Sequence, residues 1–107
     1  MKYNIKYHIQ AEKDIKKLDH SQRKVVFKLI EKVAENPLPK NEGGYGDPLG
    51  NKHGFNLTGL CKIKLRRLGI RVVYRVIQEC DIMKIIVIAA RADEEVYEIA
   101  AERMQSD

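Results

Sequence analysis

The chain has 107 residues, 44% of them hydrophobic and 33% charged, and its 20 basic against 15 acidic side chains leave a net charge of +5. That length is enough for one hydrophobic core and too little for two, so residues 1–107 are predicted to form a single domain. No apolar run approaches the roughly 20 residues of a membrane span, and the N-terminus lacks the apolar stretch of a signal peptide; a cytoplasmic protein with no membrane partner is expected.

Tyr3, Ile5, Tyr7 and Ile9 alternate with polar residues, which predicts a first strand. Ala11, Ile15 and Leu18 then follow helical spacing and predict a short helix over residues 11–18. Asp19 and Gln22 have the spacing of a capping box, with Ser21 as an alternative N-cap. The helix they open carries Val25, Val26, Leu29, Ile30 and Val33 on one face and ends at Asn36-Pro37. Residues 38–58 hold two prolines and five glycines, a stretch longer than a usual connection and so either a functional loop or a poorly ordered one. Two strands of a hairpin follow, turning near Leu68, and then a near-continuous apolar run over residues 82–90 that suits a strand covered on both faces. Asp93 is placed to cap a last helix, whose apolar stripe is Val96, Tyr97, Ala100, Ala101 and Met104. The order β-α-α-β-β-β-α predicts an α+β fold: a helical hairpin on a small, mostly antiparallel four-stranded sheet, with the helices on one face.

The hairpin carries the chemistry. Residues 60–79 hold six basic side chains and one acid, whereas residues 80–107 hold three basic and seven acidic. Lys62, Lys64 and Arg66 repeat at period two, so they share a face, and their mutual repulsion calls for an anion opposite, most naturally a nucleic acid. Arg71 follows the turn, Arg91 ends the apolar strand, and Tyr97 lies about one turn into the last helix. Such a set suits RNA cleavage by the RNA's own 2′-hydroxyl: a lysine lowered in pKa by neighbouring cations could be the base, and arginines could hold the developing phosphate charge. Each residue also has a plainer reading. Lys62 and Lys64 could line a solvated sheet face, Arg71 and Arg75 could pair with the acidic last helix, and Tyr97 could be core. Tyr45 and Phe55 could stack on bases or pin the glycine-rich segment. His8, His20 and His53 are scattered and read as surface residues, with no zinc-ligand spacing to the cysteines. Cys61 and Cys80 fall on the order of 15 Å apart at strand rise, beyond disulfide reach, and are expected as free thiols.

Lys62-Ile63-Lys64-Leu65-Arg66, then Gly69-Ile70-Arg71-Val72-Val73-Tyr74, closely resembles the RelE branch of the RelE/ParE toxin superfamily. Arg91 and Glu95-Val96-Tyr97 continue the match at the family's spacing, and the resemblance covers nearly the whole chain. It implies a toxin of a type II toxin–antitoxin system: an mRNA interferase, a metal-independent and cofactor-free endoribonuclease that cuts mRNA in the A site of the 70S ribosome. On that resemblance Lys62 and Lys64 take the catalytic lysine positions, with Lys64 the favoured base. Arg71 stabilises phosphate charge, Arg91 acts as acid or charge stabiliser, and Tyr97 orients or stacks on the RNA. Lys52 and Arg66, with Arg67 and Arg75, would hold mRNA or ribosomal RNA. The partners implied are a RelB-like antitoxin, the ribosome and, only through the antitoxin complex, operator DNA. Two other functions compete: a ParE-like inhibitor of DNA gyrase and a nonenzymatic RNA- or ribosome-binding module. The connection over residues 38–60 is longer than the family's minimal version, and Cys61 stands where an aromatic is common.

Overall fold

A computed structural model describes residues 2–52 and 54–105. Among them are five strands and three α-helices: β1 (Asn4–Tyr7), α1 (Ile9–Lys16), α2 (His20–Val33), β2 (Asp47–Lys52), β3 (Phe55–Leu65), β4 (Ile70–Ile77), β5 (Ile82–Ala89) and α3 (Asp93–Gln105). The strands form one sheet in the order β1-β5-β4-β3-β2, antiparallel except for the parallel pair β1–β5. The class is the α+β arrangement expected from the sequence, with two corrections.

The first is a fifth strand. Pro48 and Gly50 argue against a strand in the stretch read as irregular, yet Asp47–Lys52 pairs with β3. The pairing is tolerated because β2 lies at the sheet edge, where a missing N–H costs no ladder bond on the open side. The rest of that stretch is tied down. Tyr74, fully buried, donates its hydroxyl to the Pro37 carbonyl at 2.7 Å, and the Asn36 side-chain amide donates to the Gly43 carbonyl at 3.1 Å. Gly46 packs so closely on this tyrosine that a Cβ there would lie 2.2 Å from its hydroxyl oxygen.

The second correction concerns layers. The helices do not share a face: α1 and α2 cover one side of the sheet and α3 the other. Val26, Ile30 and Val33 of α2 pack with Ile70, Val72, Tyr74, Met83 and Ile85. Val96, Tyr97 and Ala100 of α3 pack with Leu57, Leu60, Val73, Ile86 and Val87. β4 buries Val72 and Tyr74 toward α1 and α2 and Val73, between Arg71 and Arg75, toward α3, and fully burying a side chain such as Val72 or Val73 contributes about 1.5–3 kcal/mol, so one strand anchors both layers. In β5 the partners of Val73 and Tyr74 are Val87 and Ile85, which leaves Ile86 as a bulge and lets two successive residues face α3.

Local signals set the helix ends. The capping box forms as predicted: Gln22 N–H donates to Asp19 Oδ1 at 2.8 Å, and Asp19 N–H donates to Gln22 Oε1 at 3.1 Å. Arg23 donates from Nε to the Ile15 carbonyl at 3.0 Å and from Nη2 to the Lys16 carbonyl at 3.1 Å, closing the C-terminal end of α1. His8 is a correction: it is buried and caps α1, its Nδ1 accepting from Gln10 N–H at 3.0 Å. His20 is exposed as expected, and His53 lies outside the described residues.

Among the described residues β1 pairs only with residues 82–85 of β5, and the edge of β5 beyond it has no strand neighbour there. Side chains fill the role. Ile88 N–H donates to Asp14 Oδ2 at 3.0 Å, and Arg103 Nη1 donates to the Ile86 carbonyl at 2.9 Å. Asp14 and Arg103 bind each other through both oxygens, at 2.6 and 3.1 Å, and so bolt α1, β5 and α3 together. Cys61 is buried and Cys80 exposed, both free thiols.

Candidate nucleic-acid site

The register Leu60↔Arg75, Lys62↔Val73 and Lys64↔Arg71 runs without a break, so alternate side chains keep to one face. Leu60 and Val73 lie under α3, and Lys62, Lys64 and Arg71 therefore share that face, at the end of the sheet where α3 begins. The side of β3 that meets α3 is apolar at Leu60 and cationic from Lys62 onward.

The cluster is built around α3's first two turns. Lys62 donates from Nζ to the Tyr97 hydroxyl at 2.9 Å and stands 5.5 Å from that ring's centroid. Its Nζ is also 3.6 Å from Asp93 Oδ2. Arg71 donates from Nε to Asp93 Oδ1 and from Nη1 to the carbonyls of Gly69, at 3.3 Å, and Arg91. Lys64 is exposed and makes no hydrogen bond or ion pair among the described residues.

The electrostatics follow from this geometry. Burial would lower the pKa of Lys62, but the Tyr97 hydroxyl bond and the Asp93 carboxylate outweigh it and raise the lysine above its ordinary 10.5. The lowered lysine expected beside so many cations is therefore not Lys62, which is held as an ammonium. Burial alone would raise the Asp93 carboxyl; the Arg71 hydrogen bond and the charges of Lys62, Arg71 and Lys64 hold it below the usual 3.8 instead.

Asp93 is the residue that sequence reasoning misplaced. It is the first residue of α3 and not its cap, and its side chain turns to the sheet. An acid two residues after Arg91 was the available signal, but three successive acids at a helix start read equally well as a response to the helix dipole. Arg71 thus follows the plainer of its two readings in this conformation, pairing with the acidic helix.

The other candidates are dispersed. Arg91 carries its backbone carbonyl into the cluster while its half-exposed guanidinium turns to Glu95, 3.0 Å away. Tyr97 is 3% exposed; its ring is core and only its hydroxyl reaches the site, so stacking on a base is not open to it in this conformation. Arg66 and Arg67 are exposed in the β3–β4 turn, beside Lys64. Arg75 is exposed on β4, four residues and about 13 Å from Arg71. Lys52 pairs with Phe55 at the far end of β3, on the order of 20 Å from Lys62. Phe55 pins its strand to the core beneath α3, and Tyr45 is exposed with Lys32 Nζ 5.8 Å from its ring. Among the described residues no three His, Cys, Asp or Glu side chains converge as a metal site, and no helix is long and apolar enough to cross a membrane.

Comparison with known proteins gives the fold a lineage. Residues 5–95 match the family model of the ParE toxin of the type II toxin–antitoxin system parDE. A RelE-like toxin protein of Escherichia coli is 32% identical over 105 residues, which is 98% of this chain and 100% of the relative. Among solved structures, a double arginine-to-alanine mutant of E. coli toxin RelE in the free state superposes with a TM-score of 0.76 at 30% identity, covering 97% of this chain and 99% of that one. The toxin of the intact E. coli RelBE toxin–antitoxin complex gives 0.64 at 28% identity, covering 84% and 98%. The chain belongs to the RelE/ParE superfamily and is a RelE-like toxin of a toxin–antitoxin system.

Proposed function

We propose that this toxin is a ribosome-dependent endoribonuclease, an mRNA interferase that cuts mRNA in the A site by attack of a 2′-hydroxyl on the adjoining phosphate. The observation that carries this reading is the convergence of Lys62, Lys64 and Arg71 on one sheet face, with the Tyr97 hydroxyl 2.9 Å from Lys62 Nζ. Lys64, the exposed member, takes the hydroxyl proton. Arg71 and Lys62 face the charge that builds on the phosphorane, where fixed cations act most strongly. Arg91 swings from Glu95 to the 5′-oxygen, which leaves phosphorus as the new 2′-oxygen bond closes a cyclic phosphate and takes its proton from Arg91 or from a water that Arg91 orders; Tyr97 orients Lys62. Arg66 and Arg67, on the adjoining turn, hold RNA backbone; Arg75 and Lys52, farther off, extend the same basic surface along the ribosome. These cations supply the charge stabilisation, and the chemistry calls on no metal or cofactor from the protein.

The site of action is the cytoplasm, where the 70S ribosome is. The solved RelBE complex of the E. coli relative supports a RelB-like antitoxin as the neutralising partner here, and operator DNA is contacted only through that complex.

Toeprinting on programmed 70S ribosomes tests the reading. Wild-type protein is expected to produce new A-site cuts, and Lys64→Ala and Arg91→Ala to lose them by about 10²–10³-fold in rate with melting unchanged. Intact mRNA with the wild type would refute it. A second reading, inhibition of DNA gyrase, is favoured by the ParE description of the matching family model; it predicts blocked supercoiling by a protein that leaves ribosome-bound mRNA whole.

A further inference from the structure

We propose that Asp93 is a resident anion of the cationic site, a carboxylate that occupies the place of a phosphate and must be displaced when RNA binds. The proposal rests on the reading of this cluster as a phosphate site. Its ground is how the donors are committed. Arginine recognises a phosphate best with a fork of two parallel N–H groups, either Nε with one Nη or the two Nη together. In Arg71 Nε is given to Asp93, and Nη1 is given to the Gly69 and Arg91 carbonyls. Each fork edge therefore has one member engaged already. Lys62 is engaged as well, between the Tyr97 hydroxyl and Asp93.

A phosphate and the Asp93 carboxylate cannot both sit against these two cations without repulsion between like charges. Something has to leave, and the carboxylate is the group that can. Its side chain is 34% exposed, against 16% for Lys62 and 14% for Arg71, and it sits at the first residue of α3. Lys64, directly opposite Arg71 in the sheet, carries the one amine of the cluster with no ion pair among the described residues. An incoming phosphate meets Lys64 first and then takes Arg71 and Lys62 from Asp93. The free toxin thus carries its own competitor, which lowers its affinity for stray polyanions and leaves productive binding to RNA held in place by other contacts.

The experiment measures affinity against salt for 70S ribosomes programmed with an mRNA whose A-site codon has 2′-deoxy sugars, so that nothing is cut. Asp93→Asn is expected to bind about tenfold tighter than wild type, as removal of one like charge beside a bound anion should give. Its log–log salt slope should steepen by roughly 0.7, the amount one further phosphate contact adds on a single strand. Asp93→Glu should keep the wild-type slope, because it keeps the charge. Asp93→Ser is run beside Asp93→Asn, so that misfolding of one leaves the other to decide. Wild-type affinity and slope in the neutral variants, with binding weakened by Lys62→Ala, would overturn the role of Asp93 and leave the nuclease reading standing. Weaker binding by the neutral variants at unchanged melting would also overturn it, since Asp93 would then serve to orient Arg71. Failure of the wild type to bind these ribosomes would refute the nuclease reading and this proposal with it.

Discussion

The molecule uses an aspartate and an arginine twice, at opposite ends of α3, to different effect. At the C-terminal end, Asp14 and Arg103 are nearly buried, bound through both oxygens, and joined to the Ile88 N–H and the Ile86 carbonyl. At the N-terminal end, Asp93 meets Arg71 through one oxygen and Lys62 through the other, and a third of its side chain faces solvent. The first arrangement closes a gap in the sheet edge and has little freedom to rearrange without leaving backbone groups and a charge unpaired. The second reaches, through Arg71, the Gly69 and Arg91 carbonyls outside the strands, and it borders three cations with an opening to solvent. One chemical pair is a bolt where burial and two backbone partners hold it in place, and an exchangeable contact where water or a phosphate can replace it.

That contrast can be broken by substitution. Asp14→Ala takes from Arg103 its carboxylate and from the Ile88 N–H its acceptor in the interior and is expected to cost about 3–5 kcal/mol of stability, read as a fall in the urea midpoint at constant slope. A loss as small as a surface pair's would remove the distinction drawn between the two ends. Arg71→Ala should lower A-site cleavage by about 10²–10³-fold, worth about 3–4 kcal/mol of barrier, with much less change in stability than Asp14→Ala. Comparable unfolding by both variants would make Arg71 structural. Asp93→Asn should cost no more than about 1 kcal/mol of stability near neutral pH, since its pair is partly solvated.

The smallest effect is on pH dependence and sharpens the assignment. Asp93 has a folded pKa held below its ordinary 3.8, so its stabilising contribution is present above that value and is lost as pH falls through the depressed folded one. Wild type and Asp93→Asn should therefore differ near neutral pH and converge below pH 3.8 in parallel urea melts. At the other end Lys62, raised above 10.5, contributes fully below that pH and loses its part as pH climbs through the raised value. A wild-type advantage that persisted undiminished into acid would mean that Asp93 acts through packing and not through charge.

The sequence by itself determined what depends on near neighbours and period. Asp19 and Gln22 cap α2 because a capping box needs only three residues of spacing. The hairpin places Lys62, Lys64 and Arg71 on one face because a strand repeats every two, and the apolar run in β5 is covered on both sides as its composition required. The superfamily was legible for the same reason, in a contiguous motif. Tertiary structure decided the rest. No local rule says which face a C-terminal helix will choose, and α3 took the face opposite α1 and α2 because β4 and the Ile86 bulge present apolar surface there. β2 exists because β3 offers an open edge, in spite of Pro48. The fold buried His8, whose capping bond to Gln10 is local, and it made Asp93 a partner of Arg71 and Lys62 through contacts 22 and 31 residues away in the chain that only the packed sheet brings within reach. Short-range geometry is written into consecutive residues; the pairing of charges across layers belongs to the assembled fold, where burial and distance select which partners meet.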